Sequence, residues 1–171
     1  EATATEALAE CGPALYAHMG ARVGAHLGAS DAGRMAVILI TGGAGYIGSH
    51  ACKRVAAAGH TAVCLDSFAT GWRDAVRFGP LIEADLLDEA ALARAFAETR
   101  PDAVMHFAAL SLVGESVADP ARYWRNNVQG SLNLLQAIRA AGIDALVFSS
   151  TAATYGEPDL ALIGEDAPQT P

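Results

Sequence analysis

The chain reads as an α/β protein built on a doubly wound parallel sheet, and three observations carry that reading. From Met35 onward short apolar runs alternate with segments of helical periodicity, the pattern of stacked strand–helix–strand units. Gly42, Gly43, Gly45 and Gly48 cluster between the first apolar run and the first helical segment. An acid, Asp66, closes the second run about 20 residues further on.

The elements follow in order. Ala36 to Ile40 is a fully apolar strand, and Thr61 to Leu65 is a second that leads into Asp66. Leu81 to Ala84 makes a weaker third strand, and Ala103–Phe107 and Ala145–Phe148 make the fourth and fifth. Asp88 is placed to cap a helix whose Leu92 and Phe96 share one face. Asp119 followed by Pro120 opens a longer helix, in which Trp124, Val128, Leu132, Leu135 and Ile138 recur at helical spacing until Gly142 stops it. Tyr123 and Trp124 are expected to pack that helix on the sheet, His106 to be a packed core histidine, and Glu115 to be a solvated loop acid.

Composition bounds the function. A length of 171 residues, 52% hydrophobic and 18% charged, is that of a soluble globular chain with a real core. Eleven basic against nineteen acidic residues give a net charge of −8, which argues against nucleic-acid and anionic-membrane partners, since both need a positive surface. No apolar stretch approaches the roughly 20 residues of a membrane span. Cys11, Cys52 and Cys64 form neither a disulfide framework nor a metal-ligand pattern, so no metal site is expected and a cytoplasmic setting fits. The N-terminus lacks the pattern of a signal peptide, and export is not expected.

Residues 1–34 differ from the rest, being rich in Ala and Gly, with Gly20, Gly24 and Gly28 at every fourth position. His18, Arg22 and His26 interrupt that stripe, so it does not read as a membrane-helix dimer motif. The expectation is an extension over 1–34 that is not part of the fold, and a nucleotide-binding domain over 35–171.

The chemistry centres on Thr41 to His50, TGGAGYIGSH. Gly43, Gly45 and Gly48 satisfy G-x-G-x-x-G, and Gly42, Gly45 and Gly48 satisfy G-x-x-G-x-x-G. Backbone without side chains can turn tightly and approach a pyrophosphate, and the unpaired N–H groups of the following helix then face the phosphates. Asp66 can accept hydrogen bonds from both hydroxyls of a ribose, and its charge would repel a 2′-phosphate, so NAD is favoured over NADP.

With LDSFATG from Leu65, ADL from Ala84, HFAALSLVGES from His106, NNVQGSLNLL from Asn126 and FSSTAATYGEP from Phe148, the chain resembles the extended short-chain dehydrogenase/reductase family, and within it the UDP-glucose 4-epimerases. The segments run from Met35 to Pro171, and Val113-Gly114-Glu115-Ser116 looks more like the epimerases than the dehydratases. The resemblance implies a Rossmann-like fold with bound NAD and conversion of a UDP-sugar through a 4-keto sugar. It also implies that Gly42, Gly45 and Gly48, with the backbone of Tyr46 and Ile47, meet the pyrophosphate. Asp66, Ser67, Phe68, Ala69, Thr70 and Gly71 would surround the adenosine ribose, and Asp85 and Leu86 the adenine. Phe107, Ala108 and Ala109 would line the path to the nicotinamide, with Asn126 bonding from the long helix. Ser111 is a departure, since many members carry a cofactor-contacting lysine there.

Thr151 falls where the family keeps its catalytic Ser or Thr. The family's base is a tyrosine activated by a lysine four residues on, because an ordinary phenol near pH 10 is a poor base at neutrality. No such pair exists here: Tyr16, Tyr46, Tyr123 and Tyr155 are followed at that spacing by Gly20, His50, Asn127 and Asp159, and the one lysine is Lys53. In the family the tyrosine follows a Pro-Gln-x-Pro stretch, which here is Pro168 to Pro171. The expectation is therefore a sheet truncated after the fifth strand, inactive by itself, and a homodimer only when complete. Another sugar-nucleotide epimerase or dehydratase, or a non-catalytic NAD-binding module, are the alternatives.

Overall fold

A computed structural model describes residues 35–157, 162–164 and 166–171. The expected extension over 1–34 lies outside them.

Strand β1 (Val37–Thr41) is apolar at every position but its last, and four of its five residues are buried. Helix α1 (Tyr46–Ala57) leads to β2 (Thr61–Asp66), and a single turn at Arg73–Ala75 precedes β3 (Leu81–Glu83). Helix α2 (Glu89–Thr99) and β4 (Ala103–His106) follow, then two short helices, α3 (Val113–Ala118) and α4 (Pro120–Tyr123). A π-helical turn at Trp124–Gln129 runs into α5 (Gly130–Ala140), and β5 (Leu146–Phe148) completes the sheet.

The five strands lie in the order β3-β2-β1-β4-β5, all parallel. The chain thus winds outward from β1 in one direction and then in the other, which is the doubly wound arrangement read from the sequence. The reversal falls between β1 and β4, and in open parallel sheets ligands bind beyond the carboxyl ends of the strands at that point.

Residues alternate between two cores. Ile38, Ile40, Cys64 and Met105 face Ala51 and Cys52 of α1, while Leu39, Val63, Leu65 and Val104 face Leu92 and Phe96 of α2 and Leu134 and Ile138 of α5. The thiols of Cys52 and Cys64 are unbridged, and the interaction with Cys52 together with burial pushes the Cys64 thiol up.

Both expected caps form. The Asp88 carboxylate accepts from the Ala91 N–H at 2.9 Å, and that of Asp119 from the Arg122 N–H at 3.1 Å. His106 is a core histidine, 5% exposed. The expectation for Tyr123 and Trp124 is corrected. Trp124 is 68% exposed, and the Tyr123 hydroxyl reaches the backbone of Leu112 rather than the sheet. The face that packs inward is Gly130, Asn133, Leu134 and Ile138, while the apolar stripe of Val128, Leu132 and Leu135 looks out; a glycine and an asparagine at inward positions leave that face unmarked by hydrophobicity. Glu115 is exposed, as expected, but sits in helix α3, 3.3 Å from Arg122.

Candidate active site

A cleft of ≈ 840 Å³ opens at the carboxyl ends of β1, β2 and β4. Its floor is the turn from β1 into α1. Gly42 has φ +70, and a Cβ there would lie 2.7 Å from the Ala108 amide nitrogen. A Cβ on Gly48 would strike the Gly42 carbonyl, so a glycine there is what lets α1 start against the strand. Gly45 differs: a Cβ would meet only the Gly42 carbonyl, at 3.2 Å, and otherwise open space. Its missing side chain serves what comes into the cleft more than what lies behind it.

Helix α1 begins at Tyr46 with no side-chain cap and no acid in its first turn. The N–H groups of a first helical turn have no partner inside the helix, and their dipole end attracts negative charge. Two neighbouring groups that could have closed this end turn the other way: Ser49 Oγ and His50 Nδ1 both donate to the Tyr46 carbonyl, at 3.0 and 2.8 Å. The cradle is thus left open for an anion.

Asp66 ends β2 beside it. Its carboxylate accepts from the Ala44 N–H at 2.9 Å and from the Phe68 N–H at 2.8 Å, and the residue is 8% exposed. Each oxygen keeps acceptor capacity on the cleft side. The loop after Asp66 closes tightly: a Cβ on Gly71 would lie 2.9 Å from an Asp66 oxygen, and the Trp72 N–H donates to the Ala44 carbonyl.

The geometry gathers nearly all of the expected residues. Gly42, Gly45, Tyr46, Ile47, Gly48, Asp66, Ser67, Ala69, Thr70, Gly71, Asp85, Leu86, Phe107, Ala108, Ala109, Ser111 and Asn126 all line the cleft. Phe68 does not; its ring lies under the Arg73 guanidinium, 4.2 Å from ring centre to carbon, and packs towards the core. Thr151 does not line the cleft either. It follows β5 on the same edge of the sheet, where its hydroxyl accepts from the Ala153 N–H at 3.2 Å.

Sequence reasoning passed over Lys53, Trp72 and Asp74, which line the cleft as well, as does Arg77. Lys53 could have been found, because it stands one turn beyond Ser49 and His50 on the face of α1 that carries Tyr46. Trp72 and Arg77 sit in an irregular segment without periodicity. Arg73, a conceivable partner for a phosphate, is committed to Glu83 at 2.6 Å, and Arg77 donates to the Asp74 carbonyl.

Residues 38–171 match the NAD dependent epimerase/dehydratase family. The chain belongs to that family. Among curated relatives it is 51% identical over 134 residues to the UDP-glucose 4-epimerase of Rhizobium leguminosarum bv. trifolii, and 50% identical over 135 residues to that of Corynebacterium glutamicum. Each alignment covers 78% of this chain, but only 41% and 40% of the relative. Among solved structures, UDP-glucose 4-epimerase from Brucella ovis in complex with NAD superposes with a TM-score of 0.72 at 47% identity, over 80% of this chain and 42% of that one. The chain thus spans about two-fifths of the length of the relatives it matches. Among the described residues of this family member no helix is long and apolar enough to cross a membrane.

Proposed function

We propose that this chain is the NAD-binding portion of a UDP-glucose 4-epimerase, interconverting UDP-glucose and UDP-galactose when the remainder of such an enzyme accompanies it. The single observation that carries the cofactor reading is the pairing of an open helix N-terminus with the anchored carboxylate of Asp66 across one cleft. The donor set suits a dinucleotide: helix N–H groups for the pyrophosphate, two carboxylate oxygens for the ribose hydroxyls, and the apolar end of the cleft at Phe107 and Ala108 for a flat ring. When bound, NAD supplies a hydride acceptor that also returns the hydride. What the chain's own residues do is hold and orient. The pyrophosphate would sit against Gly45, Tyr46, Ile47 and Gly48, the ribose against Asp66, Ser67, Ala69, Thr70 and Gly71, the adenine beside Asp85 and Leu86, and the nicotinamide end along Phe107, Ala108, Ala109, Ser111 and Asn126. The Thr151 hydroxyl bonds the reacting sugar oxygen.

The catalytic base is not among these 171 residues, which contain no tyrosine with a lysine four positions on. We therefore infer that the chain alone binds NAD without turning over UDP-galactose. A module that binds the cofactor without catalysis is the second reading, since a fold does not by itself imply an activity. The exposed stripe of Trp124, Val128, Leu132 and Leu135 supports a homodimer, and the buried, unbridged Cys52 and Cys64 support a cytoplasmic setting.

Asp66 and Glu83 stand side by side at the ends of β2 and β3, so a 2′-phosphate would meet carboxylates. Titration with NAD and NADP tests the cofactor reading: NAD should bind at least about tenfold more tightly, and Asp66→Ala should weaken NAD more than NADP. Equal affinities in the unaltered chain would count against it. The activity reading is tested by assaying the whole protein for UDP-galactose conversion, where a different sugar nucleotide as the sole substrate would replace it.

A further inference from the structure

An unbroken run of polar contacts lies beneath the cleft, and the cofactor reading leaves it unused. Thr41 closes β1 and His106 closes β4, paired in register at the point where the strand order reverses, and both are buried. Thr41 Oγ1 lies 2.6 Å from His106 Nδ1, and His106 Nε2 lies 3.0 Å from Ser131 Oγ. Ser131 donates to the Asn127 main-chain carbonyl at 2.6 Å. Because the hydroxyl proton of Ser131 goes to that carbonyl, its oxygen must accept from Nε2–H. Nδ1 is then the bare nitrogen and accepts from the Thr41 hydroxyl. Only this tautomer of a neutral His106 gives every donor an acceptor.

The run ends at the π-helical turn, Trp124–Gln129. The Ser131 hydroxyl thereby ties the first turn of the following helix to residue 127 within the wide turn. Such wide turns concentrate at functional sites. This one aims two neighbouring carboxamides. Asn127 accepts from the Leu110 N–H and donates to the Leu110 carbonyl, both at 2.9 Å. Asn126, which lines the cleft, donates to Asn127 Oδ1 at 2.8 Å. Leu110 lies in the stretch from Phe107 to Ser111 that forms one wall of the cleft.

We propose that His106 and Ser131 are positioning residues of the cleft: the relay from Thr41 through His106 and Ser131 holds the wide turn, and through Asn127 it fixes the 107–111 wall and the Asn126 carboxamide. The proposal rests on the NAD reading only for what occupies the cleft. The hold on the wall belongs to the ligand-free chain and is measured there.

Ser131→Ala removes the hydroxyl and Ser131→Thr keeps it. Amide hydrogen exchange of the 171-residue chain should show Leu110 exchanging about tenfold faster in Ser131→Ala and near the parent rate in Ser131→Thr, with the Val104 and Thr61 amides of the sheet unmoved. His106→Gln, which alters the relay one step earlier, should speed Leu110 as well. NAD affinity of the same samples should fall about tenfold in Ser131→Ala and recover in Ser131→Thr. Unchanged Leu110 exchange in both Ser131→Ala and His106→Gln overturns the proposal whatever NAD does. Equal acceleration of Val104 and Thr61 overturns it too, since the effect is then general loosening. If Leu110 responds as expected but no sample binds NAD, the positioning role stands and the cofactor reading fails.

Discussion

Asp66 was legible in the sequence because its function depends on a position along the chain, the end of the second strand about 20 residues past a glycine loop. The contacts that hold it, from the Ala44 and Phe68 N–H groups, depend on loop geometry that no periodicity encodes. Lys53 and Trp72 escaped for a related reason. Both line the cleft, and neither residue type marks a nucleotide site by itself. His106 was legible as a core residue, but its partner Ser131 was not, since only the fold brings residues so far apart in sequence within 3.0 Å. That histidine carries a prediction. Burial lowers its pKa to about 4, whereas the unfolded chain binds the proton near 6.5. The unfolded state therefore holds more protons between those values, so His106 adds its full stability above pH 6.5 and loses it as pH falls towards 4, by up to about 3 kcal/mol. Urea unfolding at pH 7.5, 6 and 5 should show that decline already between pH 6.5 and 5, a window above most carboxylate titration. A flat profile there would mean that His106 is solvated.

At the scale of elements, the five strands lie within a residue of their expected bounds, because runs of buried apolar residues and the acids and glycines around them are local signals. The caps at Asp88 and Asp119 formed for the same reason, and Asp88→Ala should cost about 1 kcal/mol. The long helix is where the reading failed. Trp124, Val128, Leu132 and Leu135 keep a 3.6-residue period but face outward, while Gly130 and Asn133 take inward positions, where a small or polar residue gives no apolar signal, and Asn133 donates to the Leu86 carbonyl at 3.0 Å. Comparing two leucines tests which face packs inward. Leu134 is 1% exposed and Leu132 47%, so Leu134→Ala should cost about 2–5 kcal/mol while Leu132→Ala stays within about 0.5 kcal/mol. Thermal denaturation of both variants checks it, and equal losses would contradict that placement.

Over the whole molecule, the strand order brings the glycine turn, Asp66 and the 107–111 wall to one edge, and that placement was legible because parallel sheets bind at the strand reversal. The outer surface was less so. Trp124, Val113, Val117 and Phe148 are each more than half exposed, an unusual load of large apolar side chains for a chain of 17.6 kDa. Sedimentation at rising concentration should accordingly show species heavier than the monomer, and a strictly monomeric boundary would leave the proposed dimer without support.

The central claim is that this cleft holds NAD, and calorimetric titration of the chain with NAD tests it most directly. One site per chain is expected, with Asp66→Ala weakening it by about 2 kcal/mol, roughly thirtyfold, as hydrogen bonds to a carboxylate are lost. No heat of binding, or binding indifferent to Asp66→Ala, would contradict it.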